Sequence, residues 1–197
     1  MGAKRMKQAA AAVGQCELMY VYDKLFAEYN HTVAQLLLDA EDLRHEDRHR
    51  NFENTVKTLL EMGVIPIINE NDTVTTKEIE FGDNDTLSAL VAVSVCADLL
   101  VILSDIDGLY TANPKTDPSA VLIPHVYELT DKIIALGGDA GSELGTGGMS
   151  TKLKAARIVT SGGCDMVIAN GSRPLCLYDI AEGGDVGTRF HAPQSKA

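Results

Sequence analysis

The densest chemistry in the chain lies in eight consecutive residues, Gly145-Thr146-Gly147-Gly148-Met149-Ser150-Thr151-Lys152. Glycines let a backbone take positive φ and bring its N–H groups close to an anion. A helical pattern begins at Met149, and a helix start adds unpaired N–H donors and the positive end of the helix dipole. Phosphate is the natural guest of such a loop, with Lys152 supplying a mobile positive charge from an exposed helix start. Order and spacing differ from the G-x-x-x-x-G-K-[ST] phosphate loop, so the string is read by its chemistry and not as that motif.

Four polar clusters accompany it. Asn69-Glu70-Asn71-Asp72, Ser104-Asp105-Ile106-Asp107-Gly108 and Asn170-Gly171-Ser172 each follow a short apolar run, and Gly82-Asp83-Asn84-Asp85 stands directly before a helical pattern. Asn, Asp and Ser at such places also make turns and helix caps, and for Asp85 and Asp107 taken singly both readings stay open. In an open α/β sheet, however, ligands collect beyond the carboxyl ends of the strands. Carboxylates gathered there, facing an anion loop, suit Mg²⁺ or a substrate amine. His31, His45, His49, His125 and His191 show no metal-ligand spacing and no pairing with a nucleophile, so they read as surface or structural residues. Cys16, Cys96, Cys164 and Cys176 are scattered with no C-x-x-C pair. They read as small buried hydrophobes in a reducing compartment.

The elements that must position these groups follow from the apolar pattern. Residues 3–29, 46–62, 85–97 and 149–162 read as helices; residues 31–38, 64–68, 99–103 and 165–169 read as strands. Pro66 suggests the start of a strand. Residues 73–81 alternate loosely, as an exposed ribbon or flap would, and 193–197 reads as a frayed tail. Fully apolar strands alternating with helices predict an α/β fold with a mainly parallel sheet and right-handed crossovers.

Composition narrows the rest. A chain of 197 residues is most simply one domain with a substantial core, and 45% hydrophobic with 5% aromatic residues makes that core Ala, Val, Ile and Leu. A formal charge of −11 opposes binding to nucleic acid or to an anionic membrane surface, so a phosphate ligand needs local cationic help. No apolar run reaches the ~18 residues of a membrane span, and the reading is a soluble, cytoplasmic protein.

Four strings carry a resemblance: Ile65-Pro66-Ile67-Ile68-Asn69-Glu70-Asn71-Asp72, Gly82-Asp83-Asn84-Asp85-Thr86-Leu87-Ser88-Ala89, Ser104-Asp105-Ile106-Asp107-Gly108-Leu109-Tyr110-Thr111 and the glycine loop to Lys152. In order and spacing they resemble the glutamate 5-kinase family of the amino acid kinase superfamily. The last two are shared across the superfamily; the first two are particular to the glutamate enzymes, and they argue against acetylglutamate, aspartate, carbamate and uridylate kinases. The resemblance implies a three-layer αβα sandwich over residues 1–192. It implies transfer of the ATP γ-phosphoryl to the side-chain carboxylate of L-glutamate, giving γ-glutamyl phosphate for proline biosynthesis, with Mg²⁺, feedback inhibition by proline and a homo-oligomer. It assigns glutamate to Asp72 and Asn84, with Asn69, Asp83 and Asp85 close by. The nucleotide falls to Ser104 and Asp105 and to Thr146, Gly147, Gly148, Met149, Ser150, Thr151 and Lys152. Asp105 and Lys152 are the expected catalytic residues, Lys152 stabilising charge on the leaving oxygen. No protein-held metal, nucleic acid or membrane is expected.

Two departures accompany the resemblance. Ser104 stands where the family commonly has threonine, which keeps the hydroxyl. The family's opening strand, its lysine-bearing glycine-serine loop and the next strand are expected to be missing before Met1, as is a small RNA-binding-like domain after the end. The first loss implies little glutamate kinase activity in this chain alone, and it leaves open a second reading, a non-catalytic glutamate- or nucleotide-binding remnant that oligomerises.

Overall fold

A computed structural model describes residues 2–74, 83–138 and 148–193. The chain divides into two compact units, Met1–Phe81 and Gly82–Ala197. Each builds parallel strands from Val-, Ile- and Leu-rich segments and connects them through helices, so the fold is α/β as the apolar pattern predicts.

The first unit opens with α1 (Gly2–Ala27), followed by β1 (Thr32–Leu38), α2 (Ala40–Arg44), α3 (Glu46–Glu61) and β2 (Val64–Glu70). β1 and β2 pair in parallel, from Thr32 opposite Val64 to Leu38 opposite Glu70. Between them, α3 buries Phe52 and Val56, one helical turn apart, while Arg50 and Glu46 pair on its outer face at 2.9 Å. The short α2 escaped the sequence reading. Its start is held by Asp39, which accepts from the N–H groups of Glu41 and Asp42, while the Asp42 carboxylate accepts from the Asp39 N–H. Pro66 lies inside β2 rather than at its start. β2 has β1 as its one partner among the described residues, and an edge strand tolerates a residue without an N–H. The flap expected over 73–81 falls mostly outside the described residues; Thr73 and Val74 belong to a turn closed by the Val74 N–H donating to the Asn71 carbonyl.

In the second unit the order is α4 (Asn84–Ser94), β3 (Leu99–Ser104), β4 (His125–Val126), α5 (Asp131–Ala135), α6 (Met149–Ser161), β5 (Asp165–Asn170), α7 (Cys176–Ala181) and β6 (Thr188–Phe190). Its sheet runs β3-β5-β6-β4; β3 and β5 are parallel, β5 and β6 antiparallel, β6 and β4 parallel. β5 shows why the layers form. Met166 and Ile168 point into a core shared with Ala89, Ala92, Ala155, Ala156 and Val159 of α4 and α6. Val167 and Ala169, the alternate residues, join Ile180 of α7 in a second core. Two helical layers thus cover opposite faces of one strand, giving the αβα order within this unit.

Small residues let α4 and α6 pack closely. Ala89, Ala155 and Ala156 are fully buried, and a Cβ on Gly162, which caps α6, would meet the Val93 side chain at 2.6 Å. Contact between Val93 and Gly162 at one end and Asp85 and Lys152 at the other means the helices run side by side in the same direction. α6 turns directly into β5 and has about the same length, ~20 Å for thirteen residues of helix against ~20 Å for six of strand. The start of α6 therefore lies toward the carboxyl end of β5.

Two further expectations need correction. The helix expected over 85–97 stops at Ser94, where Val95 leaves helical geometry and Cys96 takes φ 53°. Of the cysteines read as buried, Cys164 is; Cys16 and Cys96 are exposed. β4 and β6 went unread because two or three residues are too few to show a period.

Candidate active site

Two polar constellations mark the edge of the second unit where the strands end. The first joins the starts of α4 and α6. Asp83 caps α4, accepting from the Thr86 N–H at 2.6 Å and from the Thr86 hydroxyl at 3.0 Å. That frees Asp85, in the first turn, to meet α6: the Lys152 Nζ donates to its Oδ2 at 3.2 Å. The Thr151 hydroxyl is 2.7 Å from the same oxygen and 2.7 Å from the Gly148 carbonyl, and donates its single proton to one of them at a time. Lys152 is 4% exposed, so the lysine read as a solvent-facing charge is in fact buried. Leu153 and Ala156 beside it draw this part of α6 into the core, and the stem follows while the ammonium meets Asp85.

Gly148 is the N-cap of α6 and takes φ −74°, ψ 178°, an ordinary extended conformation rather than the positive φ expected of the glycine loop. Among the described residues, a Cβ there would touch the Ser150 hydroxyl alone, at 3.8 Å, an ordinary contact. Met149 is half-buried against the core and Ser150 is exposed. Thr146 and Gly147 lie outside the described residues.

The second constellation ties the ends of β3 and β5. Asn170 Nδ2 donates to Asp107 Oδ1 at 2.8 Å, and the Tyr110 hydroxyl donates to Asp107 Oδ2 at 3.1 Å. Asn170 Oδ1 in turn accepts from the Ser172 N–H, and the Gly171 N–H donates to the Ser104 carbonyl at 2.8 Å. The Asn170 amide, then the Tyr110 hydroxyl and the charge of Arg173, hold the Asp107 carboxyl below the usual carboxylate range. Burial, followed by the bond to Asp107, raises the Tyr110 phenol. Ser104 donates to the exposed Asp105 at 3.2 Å. Gly187, at φ 66°, lets the loop before β6 pass against the carbonyls of Asp107 and Ile168 where no side chain would fit. Asp107 was legible as part of a cluster after a strand; its partner Asn170 was legible likewise, but their bond spans 63 residues.

The remaining candidates stand as follows. In the first unit, Asn69 is the last residue but one of β2; its Nδ2 donates to Gln15 of α1 at 3.1 Å and its Oδ1 accepts from the Glu70 N–H. Asp72 is exposed in the turn that follows. In the second unit, Asn84 is the exposed first residue of α4. Among the described residues no group of three or more His, Cys, Asp or Glu side chains could hold a metal ion, and no helix is long and apolar enough to cross a membrane.

The sequence profile of the amino acid kinase family matches residues 2–170. The chain belongs to that family. Within it, this amino acid kinase is similar to glutamate 5-kinases: that of Clostridium perfringens (strain 13 / Type A) is 52% identical over 196 residues, covering 98% of this chain and 73% of that protein. The glutamate 5-kinase of Clostridium tetani (strain Massachusetts / E88) is 54% identical over 186 residues, covering 94% of this chain and 70% of that one. Among solved structures, carbamate kinase from Giardia lamblia bound to AMP-PNP shares the fold, with TM-score 0.63 at 17% identity over 96% of this chain and 80% of that one.

Proposed function

We propose that this amino acid kinase transfers the γ-phosphoryl group of ATP to the side-chain carboxylate of L-glutamate, the activity that the name of its half-identical relatives states. The observation that carries the reading is the buried Lys152–Asp85 pair at the adjoining starts of α4 and α6. Phosphoryl transfer requires positioning and charge neutralisation rather than a protein nucleophile. The first turn of α6 supplies N–H donors and dipole for the phosphates, and Lys152 supplies a charge whose position Asp85 and Thr151 fix. The substrate carboxylate oxygen forms the new P–O bond, the bond from the γ-phosphorus to the β–γ bridging oxygen breaks, and that oxygen leaves with ADP. A carboxylate is already ionised at neutral pH, so no strong general base is needed.

For the nucleotide, Ser104, Asp105 and Gly148 to Lys152 are the proposed contacts among the described residues, with Thr146 and Gly147 preceding them. The Asp107–Asn170–Tyr110 network holds the ends of β3 and β5, and with them Ser104 and Asp105, in place. Mg²⁺ suits this residue set when the nucleotide carries it: hard cations of this size keep phosphate oxygens and water, taking one or two carboxylates from the protein. Asp85 is the residue that would share it, and the ion would neutralise charge on the phosphates. For glutamate, Asp72 suits the ammonium group and Asn84 the α-carboxylate, with Asn69, Asp83 and Asp85 as further candidates. Proline as inhibitor, a homo-oligomer and a cytoplasmic location belong to the same proposal.

The test is ADP release by the purified protein with ATP and Mg²⁺, with L-glutamate, carbamate, UMP or no acceptor, alongside calorimetric binding of ATP and of glutamate. Release that requires L-glutamate supports the reading. Release that prefers another acceptor, or failure to bind both ATP and glutamate, overturns it. Asp72→Ala should weaken glutamate binding by ~2–5 kcal/mol if the ammonium pair is desolvated.

A further inference from the structure

One buried hydroxyl in the second unit joins three stretches of chain. Thr188 opens β6 and is fully buried. Its Oγ1 accepts from the Leu109 N–H at 2.8 Å and donates to the Ile123 carbonyl at 2.7 Å. Leu109 and Ile123 are the two ends of a single arm. The Ile123 N–H donates to the Leu109 carbonyl at 2.8 Å, Tyr110 bridges Leu122 in antiparallel fashion, and the Thr111 N–H donates to the Val121 carbonyl at 2.9 Å. Thr188 thus pins both sides of the arm 109–123 at its base. The fit is close: a Cβ on Gly108 would meet Thr188 Oγ1 at 2.5 Å and Leu122 Cδ1 at 2.9 Å, so a bare backbone is what passes there.

The pin lies next to the proposed nucleotide contacts. Ser104 is anchored through its carbonyl, which accepts from the Gly171 N–H, and Asp107 through its carboxylate, which accepts from Asn170 and Tyr110. Asp105 stands between them, exposed, its side chain accepting from the neighbouring Ser104 hydroxyl. Its place is therefore set from both flanks, and the later flank depends on the arm. Tyr110, which donates to Asp107, belongs to the arm, and the Leu109 N–H at the arm's base ends on Thr188. A valine at 188 keeps the shape but takes away the hydroxyl that Leu109 and Ile123 share, and a buried polar group left without its bond is costly. The arm then leaves its ordered position more often, and a ligand that needs this position binds in proportion to the fraction of molecules holding it. We infer that Thr188 is a positioning residue for the nucleotide. Buried away from any ligand, it acts through the arm, keeping Ser104 and Asp105 where ATP meets them. This rests on the nucleotide role proposed above for those two residues.

Calorimetric binding of ATP and, separately, of L-glutamate to the full chain and to its Thr188→Val and Thr188→Ser variants tests this. Thr188→Val should weaken ATP binding roughly tenfold, the effect of one buried backbone group left unpaired, with glutamate affinity unchanged. Thr188→Ser keeps the hydroxyl and should restore ATP affinity. A hydroxyl that served the fold alone would lower both affinities together or neither. Equal ATP affinity in wild type and Thr188→Val, a parallel loss of glutamate affinity, or no recovery in Thr188→Ser overturns the inference and leaves the nucleotide reading standing. Failure of the wild-type chain to bind ATP overturns that reading, and the inference with it. Amide hydrogen exchange on the wild type decides independently, should Thr188→Val fail to fold. Saturating ATP should raise the protection of the Leu109 and Ile123 amides more than that of Arg189 and His191, whose N–H groups donate to the Pro124 and Val126 carbonyls. An equal rise, or none, overturns the inference.

Discussion

β5 and β2 look alike in the sequence, each an apolar run ending in an asparagine, yet they live in different surroundings. β5 is buried from Met166 to Ala169, because α4 and α6 cover one face and α7 the other. β2 is half-buried along its length, and of its residues Glu70 alone is fully buried. Hydrophobicity makes both segments strands; the number of layers available decides how much each contributes to stability. The same contrast separates the chemistry. In the second unit Lys152 and Asp85 are held in a packed frame, whereas Asp72 beyond β2 projects from an exposed turn.

The comparison is hardest to evade in the cores. Ile168→Ala should cost ~2–5 kcal/mol in urea unfolding, and Ile67→Ala in β2 about half that, because a half-buried side chain leaves less of a cavity. Equal costs would show that β2 is covered as well as β5. Lys152→Met comes next. Burial of the lysine means that its loss acts on stability as well as on activity: the methionine stem still packs, but the Asp85 carboxylate, 16% exposed, loses a cation. We expect ~1–3 kcal/mol of destabilisation, and a loss of 10²–10³ in glutamate-dependent turnover if Lys152 acts as proposed, at roughly the size of one positioned transition-state donor. Unchanged stability would mean that the frame does not hold the pair.

A smaller effect is expected at Asp107. Its folded-state pKa is depressed, so its stabilisation is present above the ordinary carboxylate value of ~3.9 and disappears as pH falls through its lower folded value. Asp107→Asn keeps an acceptor for Asn170 and should remove that part of the acid-unfolding slope; Asp107 is exposed, so the effect is small. The smallest effect belongs to α1, where Met6 and Val13 are 72% and 74% exposed. Met6→Gln should shift stability by no more than ~0.5 kcal/mol, and a larger loss would show that this face is covered in solution.

How much of this was legible depends on the range of the interaction. The strands and the long helices follow from runs and periods within a dozen residues, and α3 shows its buried face through Phe52 and Val56 directly. The polar clusters after the strands were also legible, since the rule about carboxyl ends needs only their order. The burial of Lys152 was not: it depends on how α6 packs, and its bond to Asp85 spans 67 residues. The His125–His191 contact spans 66 and depends on two strands too short to announce themselves. Asp83 and Asp85 show the limit inside one motif, because either could have been the cap and only the geometry of α4 assigns it to Asp83.

The seam between α4 and α6 has a mechanical meaning. With Ala89, Ala155 and Ala156 buried and Gly162 seated against Val93, α6 behaves as a push-rod ~20 Å long, its far end braced and its near end carrying Lys152. A slide of a single residue's rise, ~1.5 Å, is half the length of the Lys152–Asp85 contact. A methyl group added at Gly162 would therefore be felt at the other end of the rod, where the phosphates are proposed to sit.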